Sequence, residues 1–112
     1  MDNNKVDDIT EKNVELEEIT KETLKEISHI LATSDEQLVY DFLECIFTPT
    51  ERKDISNRWL LVKELDKGTT QREIAKKYGM SLCKITRGSR ELAKADSAFR
   101  KLLDIQKAQE GR

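Results

Sequence analysis

Positive charge at helical spacing is the chemistry this chain concentrates most. Between residues 67 and 101, ten lysines and arginines face only Glu73, Glu91 and Asp96. Residues 1–50 carry 4 lysines against 13 acids, a net of −9, whereas residues 51–112 carry 16 basic residues against 9 acids, a net of +7. A basic cluster within an acidic chain marks a face that binds a polyanion. Nothing comparable is assembled for catalysis. His29 is the sole histidine, no nucleophile has a base within a recognisable pattern, and there is no glycine-rich phosphate loop, so no enzyme is expected. Cys45 and Cys83 are too few for a disulfide framework and leave no ligand set for a metal, so both are read as free thiols.

The elements that must position this charge are two short helices joined by a tight turn, the pattern of a helix-turn-helix over roughly residues 70–93. In the run from Gln71 to Arg87, Ala75 is small where a second helix must cross, and Gly79 can take the left-handed conformation the turn needs. Ile74, Tyr78, Met80 and Ile85 are placed to point inward and lock the interhelical angle. Arg72, Lys76, Lys84 and Thr86 are left outside for phosphates and bases. Gly88 departs from the usual pattern, which buries an aliphatic residue three places after Ile85. A glycine inside a helix costs ~1 kcal/mol relative to alanine. It leaves either a small cavity that a ligand could fill, or a helix that tolerates glycine or packs closely on a neighbour.

Around this pair the sequence reads as all-helical, with six helices and no strand. Pro49 is the only proline, and the glycines stand at 68, 79, 88 and 111, so long helices with short turns are expected. The first helix is predicted from about Glu11 to Ala32, with Ile9, Leu16, Ile19, Thr23, Ile27 and Ile30 in one stripe. The second starts near Asp35 and carries Leu38, Val39, Phe42, Leu43, Ile46 and Phe47, an apolar face wide enough for burial between helices or subunits. Thr48-Pro49-Thr50-Glu51 forms a capping box with proline at the first helical position. The helix it opens runs through Arg58, Trp59 (read as core), Val62 and Leu65 and stops at Gly68. Thr70-Gln71-Arg72-Glu73 reads as a second capping box, and Ser81 as the cap of a helix over Leu82 to Ala93. A last helix from Asp96 presents Phe99, Leu102 and Leu103 on one face.

Charged residues make up 38% of the 112 residues and hydrophobic ones 37%, so one chain buries a modest core and a homodimer is expected. No stretch reaches the ~20 apolar residues needed to span a membrane. Met1 to Glu18 also lacks the regions of a signal peptide, so the protein is expected in the cytoplasm.

Ile85-Thr86-Arg87-Gly88-Ser89, together with Thr48-Pro49-Thr50-Glu51-Arg52, Asn57-Arg58 and Gln71-Arg72-Glu73, resembles the bacterial tryptophan repressor family. The likeness covers about residues 38–104 at nearly the same spacings, with a loop one residue shorter after Gly68. Thr-Arg-Gly-Ser is its most specific run. The first 35 residues match in helical character only.

The resemblance implies a six-helix intertwined dimer in which L-tryptophan, the corepressor, wedges between the core and each reading head; no other cofactor is implied. Arg58 and Arg87 would sandwich the indole, and Arg87 would also pair with the ligand carboxylate. Thr48 would lie near that carboxylate, the carbonyls of Cys45 and Phe47 would receive the ammonium, and Gly88 would give the indole room. Glu91 replaces a serine near the ligand and the DNA backbone, where its charge attracts the ammonium or repels phosphate. Cys83 and Lys84 replace small residues at the start of the recognition helix. With Gln71, Arg72, Lys76, Leu82 and Thr86 they complete the residues expected to face double-stranded operator DNA. The chain is thus expected to be one helical domain over 1–112. It has an acidic N-terminal helix (1–34), dimer-core helices (35–68), the helix-turn-helix (70–93) and a C-terminal helix (96–109). Valine at Gly88 is expected to fill the cavity while sparing the fold. A ligand-independent regulator of the same fold is the alternative, and a protein-interaction module without DNA binding is a further one.

Overall fold

A computed structural model describes residues 3–111, with side chains from Asp8 onward. Among the described residues there are six helices and no strand, as expected: α1 (Asn3–Ala32), α2 (Glu36–Ile46), α3 (Pro49–Asp66), α4 (Gln71–Tyr78), α5 (Leu82–Ala93) and α6 (Ala98–Glu110). They fall into two compact units, Met1–Ile46 and Phe47–Arg112.

In the first unit α1 begins at Asn3, earlier than the predicted Glu11, because no glycine or proline interrupts the segment before it. Thr20, Thr23 and Ser28 turn their hydroxyls back onto the carbonyls of Leu16, Ile19 and Leu24 at 2.7–2.8 Å, which satisfies them within the helix. The start of α2 is fixed by Asp35, whose carboxylate accepts from the Leu38 N–H at 2.8 Å. No described residue of this unit is buried. Ile9, Leu16, Ile19 and Ile30 of the α1 stripe remain exposed, as do Leu38, Leu43 and Ile46 on α2. A single copy therefore leaves its longest apolar stripe in water.

The second unit holds the core. Leu61 and Val62 of α3, Ile74 of α4, Ile85 of α5 and Leu103 of α6 are its buried apolar residues. Leu65, Ala75, Tyr78 and Met80 pack around the Leu61–Ile74–Ile85 centre. Trp59 is only half-buried and belongs to no part of that centre. The cap reading at Thr48 is met in full: its hydroxyl accepts from the Glu51 N–H at 3.2 Å, and its own N–H donates to the Glu51 carboxylate at 3.0 Å. That hydrogen bond holds the Glu51 carboxyl below its ordinary value. Thr70 makes only half of the predicted box. It accepts from the Glu73 N–H at 3.2 Å without the return bond, so among the described residues Thr48 alone heads a complete one. The last helix starts two residues later than predicted. Ser97, not Asp96, caps it: its buried hydroxyl accepts from the Arg100 N–H at 3.1 Å, while Asp96 is exposed. Leu103 alone of the predicted trio is fully buried, Phe99 is half-buried and Leu102 is exposed.

Candidate functional site

The α4–α5 pair is built as its residues dictate. Gly79 sits at φ 62°, ψ 34°, and its N–H and that of Met80 both reach the Ala75 carbonyl, which closes α4 in one tight turn. Ser81 accepts from the Lys84 N–H at 3.3 Å and opens α5. Ile74 and Ile85, fully buried, close the angle between the two helices. α5 also packs on α3 and on α6, so it is held on three sides within this unit.

Two carboxylates at the end of α3 fix the elements around it. Glu64 accepts from the Thr69 hydroxyl at 2.7 Å, the Tyr78 hydroxyl at 3.2 Å and the Lys77 ammonium at 3.4 Å, so one side chain ties the α3–α4 loop and the end of α4 to α3. These partners, the Thr69 hydroxyl foremost, lower the Glu64 pKa. Asp66 does the same for α6 by pairing with Lys107 and with Arg100, the latter at 2.8 Å. Lys107 first and Arg100 second hold its carboxyl below the ordinary range.

Between α3, α5 and α6 lies a cavity of about 370 Å³ lined by Arg58, Leu61, Val62, Lys84, Arg87, Gly88, Glu91 and Phe99. Four residues expected at the ligand therefore meet here: Arg58, Arg87, Gly88 and Glu91. Phe47 and Thr48 lie in the same unit but do not line it. Cys45 is an exposed residue of α2 in the first unit. Arg58 and Arg87 are both exposed, Gly88 is buried and Glu91 is partly so. Glu91 pairs with Lys94 at 2.8 Å, so its charge is already partnered within α5. Sequence reasoning missed Leu61 and Val62, although 58, 61 and 62 share one helical face. Phe99 comes from another helix, and no spacing rule could have placed it there.

At Gly88 both sequence readings meet, since the glycine lines the cavity and also packs closely on α3. A Cβ on Gly88 would lie 2.8 Å from Leu61 Cδ2 and 3.3 Å from its Cγ. The glycine is thus also a close contact of α5 with α3, and a valine there would strike a buried leucine before it filled any cavity.

On the outer side of α5 a shallow groove is lined by Leu82, Cys83, Thr86, Arg87, Arg90, Glu91 and Lys94. Leu82 and Cys83 are exposed and Thr86 is half-buried, while Gln71, Arg72 and Lys76 stand exposed on α4. Lys84 lines the inner cavity rather than this groove. Arg90 and Lys94 were not singled out, although they follow Thr86 at the i+4 and i+8 positions of the same face. Among the described residues no helix is long and apolar enough to cross a membrane, and no group of three or more His, Cys, Asp or Glu could hold a metal ion.

Residues 18–107 match the family model described as Trp repressor protein. A protein of Chlamydia trachomatis serovar D named Trp operon repressor homolog is 41% identical over 69 residues, which cover 61% of this chain and 73% of its own. Proteins of the same name from Chlamydia caviae and Xylella fastidiosa strain M23 are 43% identical over 65 residues and 42% identical over 62. These alignments cover 57% and 54% of this chain, and 64% of each relative. No solved structure matches the chain significantly.

Proposed function

The chain belongs to the Trp repressor protein family, whose members are regulatory proteins rather than enzymes, and on that premise we propose that this transcriptional repressor uses L-tryptophan as corepressor and reads operator DNA as a homodimer. The observation that carries this most is the shared wall of α5. Arg87 and Glu91 line both the inner cavity and the outer groove. Whatever fills the first therefore bears directly on the second. A cavity of about 370 Å³ is within the range of small-molecule sites, ~300–1,000 Å³.

The chemistry fits an aromatic amino acid. Arg58 and Arg87 approach from two helices, and guanidinium groups stack favourably on an indole face. Arg87 pairs with the carboxylate. The Thr48 hydroxyl, which accepts from Glu51 N–H, still has its own proton to donate towards that carboxylate. The family resemblance assigns the ammonium to the carbonyls of Cys45 and Phe47, neither of which lines the cavity in one copy. A ligand shifts the pitch of α5 only by its difference in affinity between two positions of the head, typically ~1–3 kcal/mol. Gln71, Arg72, Lys76, Leu82, Cys83 and Thr86 face the duplex as a helix-turn-helix, whereas Lys84, expected among them, lines the cavity. The apolar stripes of α1 and α2, exposed in one copy, support a homodimer that covers them.

A ligand-independent repressor is favoured by one feature, the tight packing of Gly88 on Leu61, which accounts for the glycine without a ligand. Isothermal titration of L-tryptophan into the wild type and Arg87→Ala separates the two. Binding by the wild type that is lost in the variant supports the corepressor. Absence of binding in both leaves the ligand-independent repressor.

A further inference from the structure

The cavity wall carries more positive charge than an indole sandwich requires. Arg58, Lys84 and Arg87 all line it, and none of the three is in an ion pair among the described residues. Glu91 is the single acid of the lining, and Lys94 already takes it at 2.8 Å. Lys84, Arg87, Gly88 and Glu91 follow one another at i, i+3, i+4 and i+7, so they share one face of α5. The backbone of Lys84 is pinned by the Ser81 cap at 3.3 Å, which leaves the ammonium on its flexible stem free to move. The remaining lining is apolar: Leu61, Val62 and Phe99 with the bare backbone of Gly88. Unmatched cations at the edge of an apolar floor favour a ligand whose body is apolar and whose charged end is anionic.

We propose that Lys84 is a ligand-binding residue of this cavity, a second cation beside Arg87 for the carboxylate of the bound molecule. This rests on the corepressor reading above and extends it, since Lys84 was expected to serve DNA alone. A lysine there reads the carboxylate as a point charge, whereas Arg87 can grip it with two parallel hydrogen bonds. Lys84 thus sets how strongly the site prefers an acid over a neutral ligand of the same shape.

The test is calorimetric titration of L-tryptophan, with no DNA present, into the wild type, Lys84→Gln, Lys84→Arg and Arg87→Ala. Lys84 is exposed, so Lys84→Gln should keep the wild-type circular dichroism and melting temperature. The expected result is an affinity about three- to tenfold weaker in Lys84→Gln, as for a partly exposed charged hydrogen bond, with most of it restored in Lys84→Arg. Tryptophan binding by Lys84→Gln should also depend less on salt than binding by the wild type. Wild-type affinity in Lys84→Gln alongside a loss in Arg87→Ala would overturn the role of Lys84 and leave the corepressor standing. No binding by the wild type would overturn both.

Discussion

Replacing Gly88 with alanine should weaken tryptophan binding and should not stabilise the protein, although alanine is the better helix former. The added Cβ would sit 2.8 Å from Leu61 Cδ2, whereas carbon atoms rest at ~3.5–4.0 Å. Something must move by about 0.7 Å or more. Leu61 is 1% exposed and cannot swing into solvent. Either it turns into the cavity that it lines, or α5 moves off α3 with Arg87 and Glu91 on it. Overpacking of this kind costs ~1–3 kcal/mol, against ~1 kcal/mol recovered by removing a helical glycine. The net is a destabilisation of about 0–2 kcal/mol for alanine and more for valine. Because either movement changes the cavity, tryptophan affinity should fall at least about tenfold, equivalent to ~1.4 kcal/mol. Urea unfolding and calorimetry on wild type, Gly88→Ala and Gly88→Val measure both quantities. An alanine variant that is ~1 kcal/mol more stable and binds tryptophan normally would refute the close contact and its link to the cavity.

Further outcomes follow from the same geometry. Arg58→Ala and Arg87→Ala should each lower tryptophan affinity about ten- to a hundredfold in calorimetry without changing the melting temperature, since both side chains are exposed. Neutralising Arg72 or Lys76 should weaken DNA binding on every sequence and reduce the slope of log affinity against log salt by about one, read by fluorescence anisotropy. Asp66 and Glu64 have pKa values lowered by their partners, so the stability they contribute is present above the ordinary carboxylate value of about 4 and is lost as pH falls through their lowered values. Thermal melts should therefore show stability falling below about pH 4, and Glu64→Gln with Asp66→Asn should flatten that fall. Sedimentation at micromolar concentration should give a dimer. A monomer would leave the α1 and α2 stripes without a partner.

Local signals were legible in this sequence wherever one or two residues decide the backbone. Thr48, Ser81 and Gly79 set the starts of α3 and α5 and the end of α4, and each does so in the structure with the expected bond or dihedral. The bounds of α5, Leu82–Ala93, coincide with the expected ones for that reason. What escaped is what depends on packing between elements. Glu64 reads as a surface acid until Tyr78, Lys77 and Thr69 are folded around it. Asp66 likewise finds its cations on a helix more than thirty residues later. In the cavity, Arg58, Arg87 and Glu91 could be named only through the family resemblance, and Gly88 also as a glycine inside a helix. Leu61, Val62 and Phe99 required the crossing of α3, α5 and α6. Thr70 misled in the opposite direction: the residues of a capping box were present, yet the Glu73 carboxylate makes no return bond.

On the proposed function, tryptophan in the α3–α5–α6 cavity controls how α4 and α5 meet DNA. The most direct test of this control begins with duplexes selected from a random pool by the protein in the presence of L-tryptophan. The best of them is then titrated with the protein at one fixed physiological salt concentration, with and without saturating L-tryptophan. Tighter binding with tryptophan by about 5- to 150-fold, the range of ordinary allosteric coupling, is the expected result. Equal affinity in the two titrations would make this a repressor that reads its operator without a corepressor.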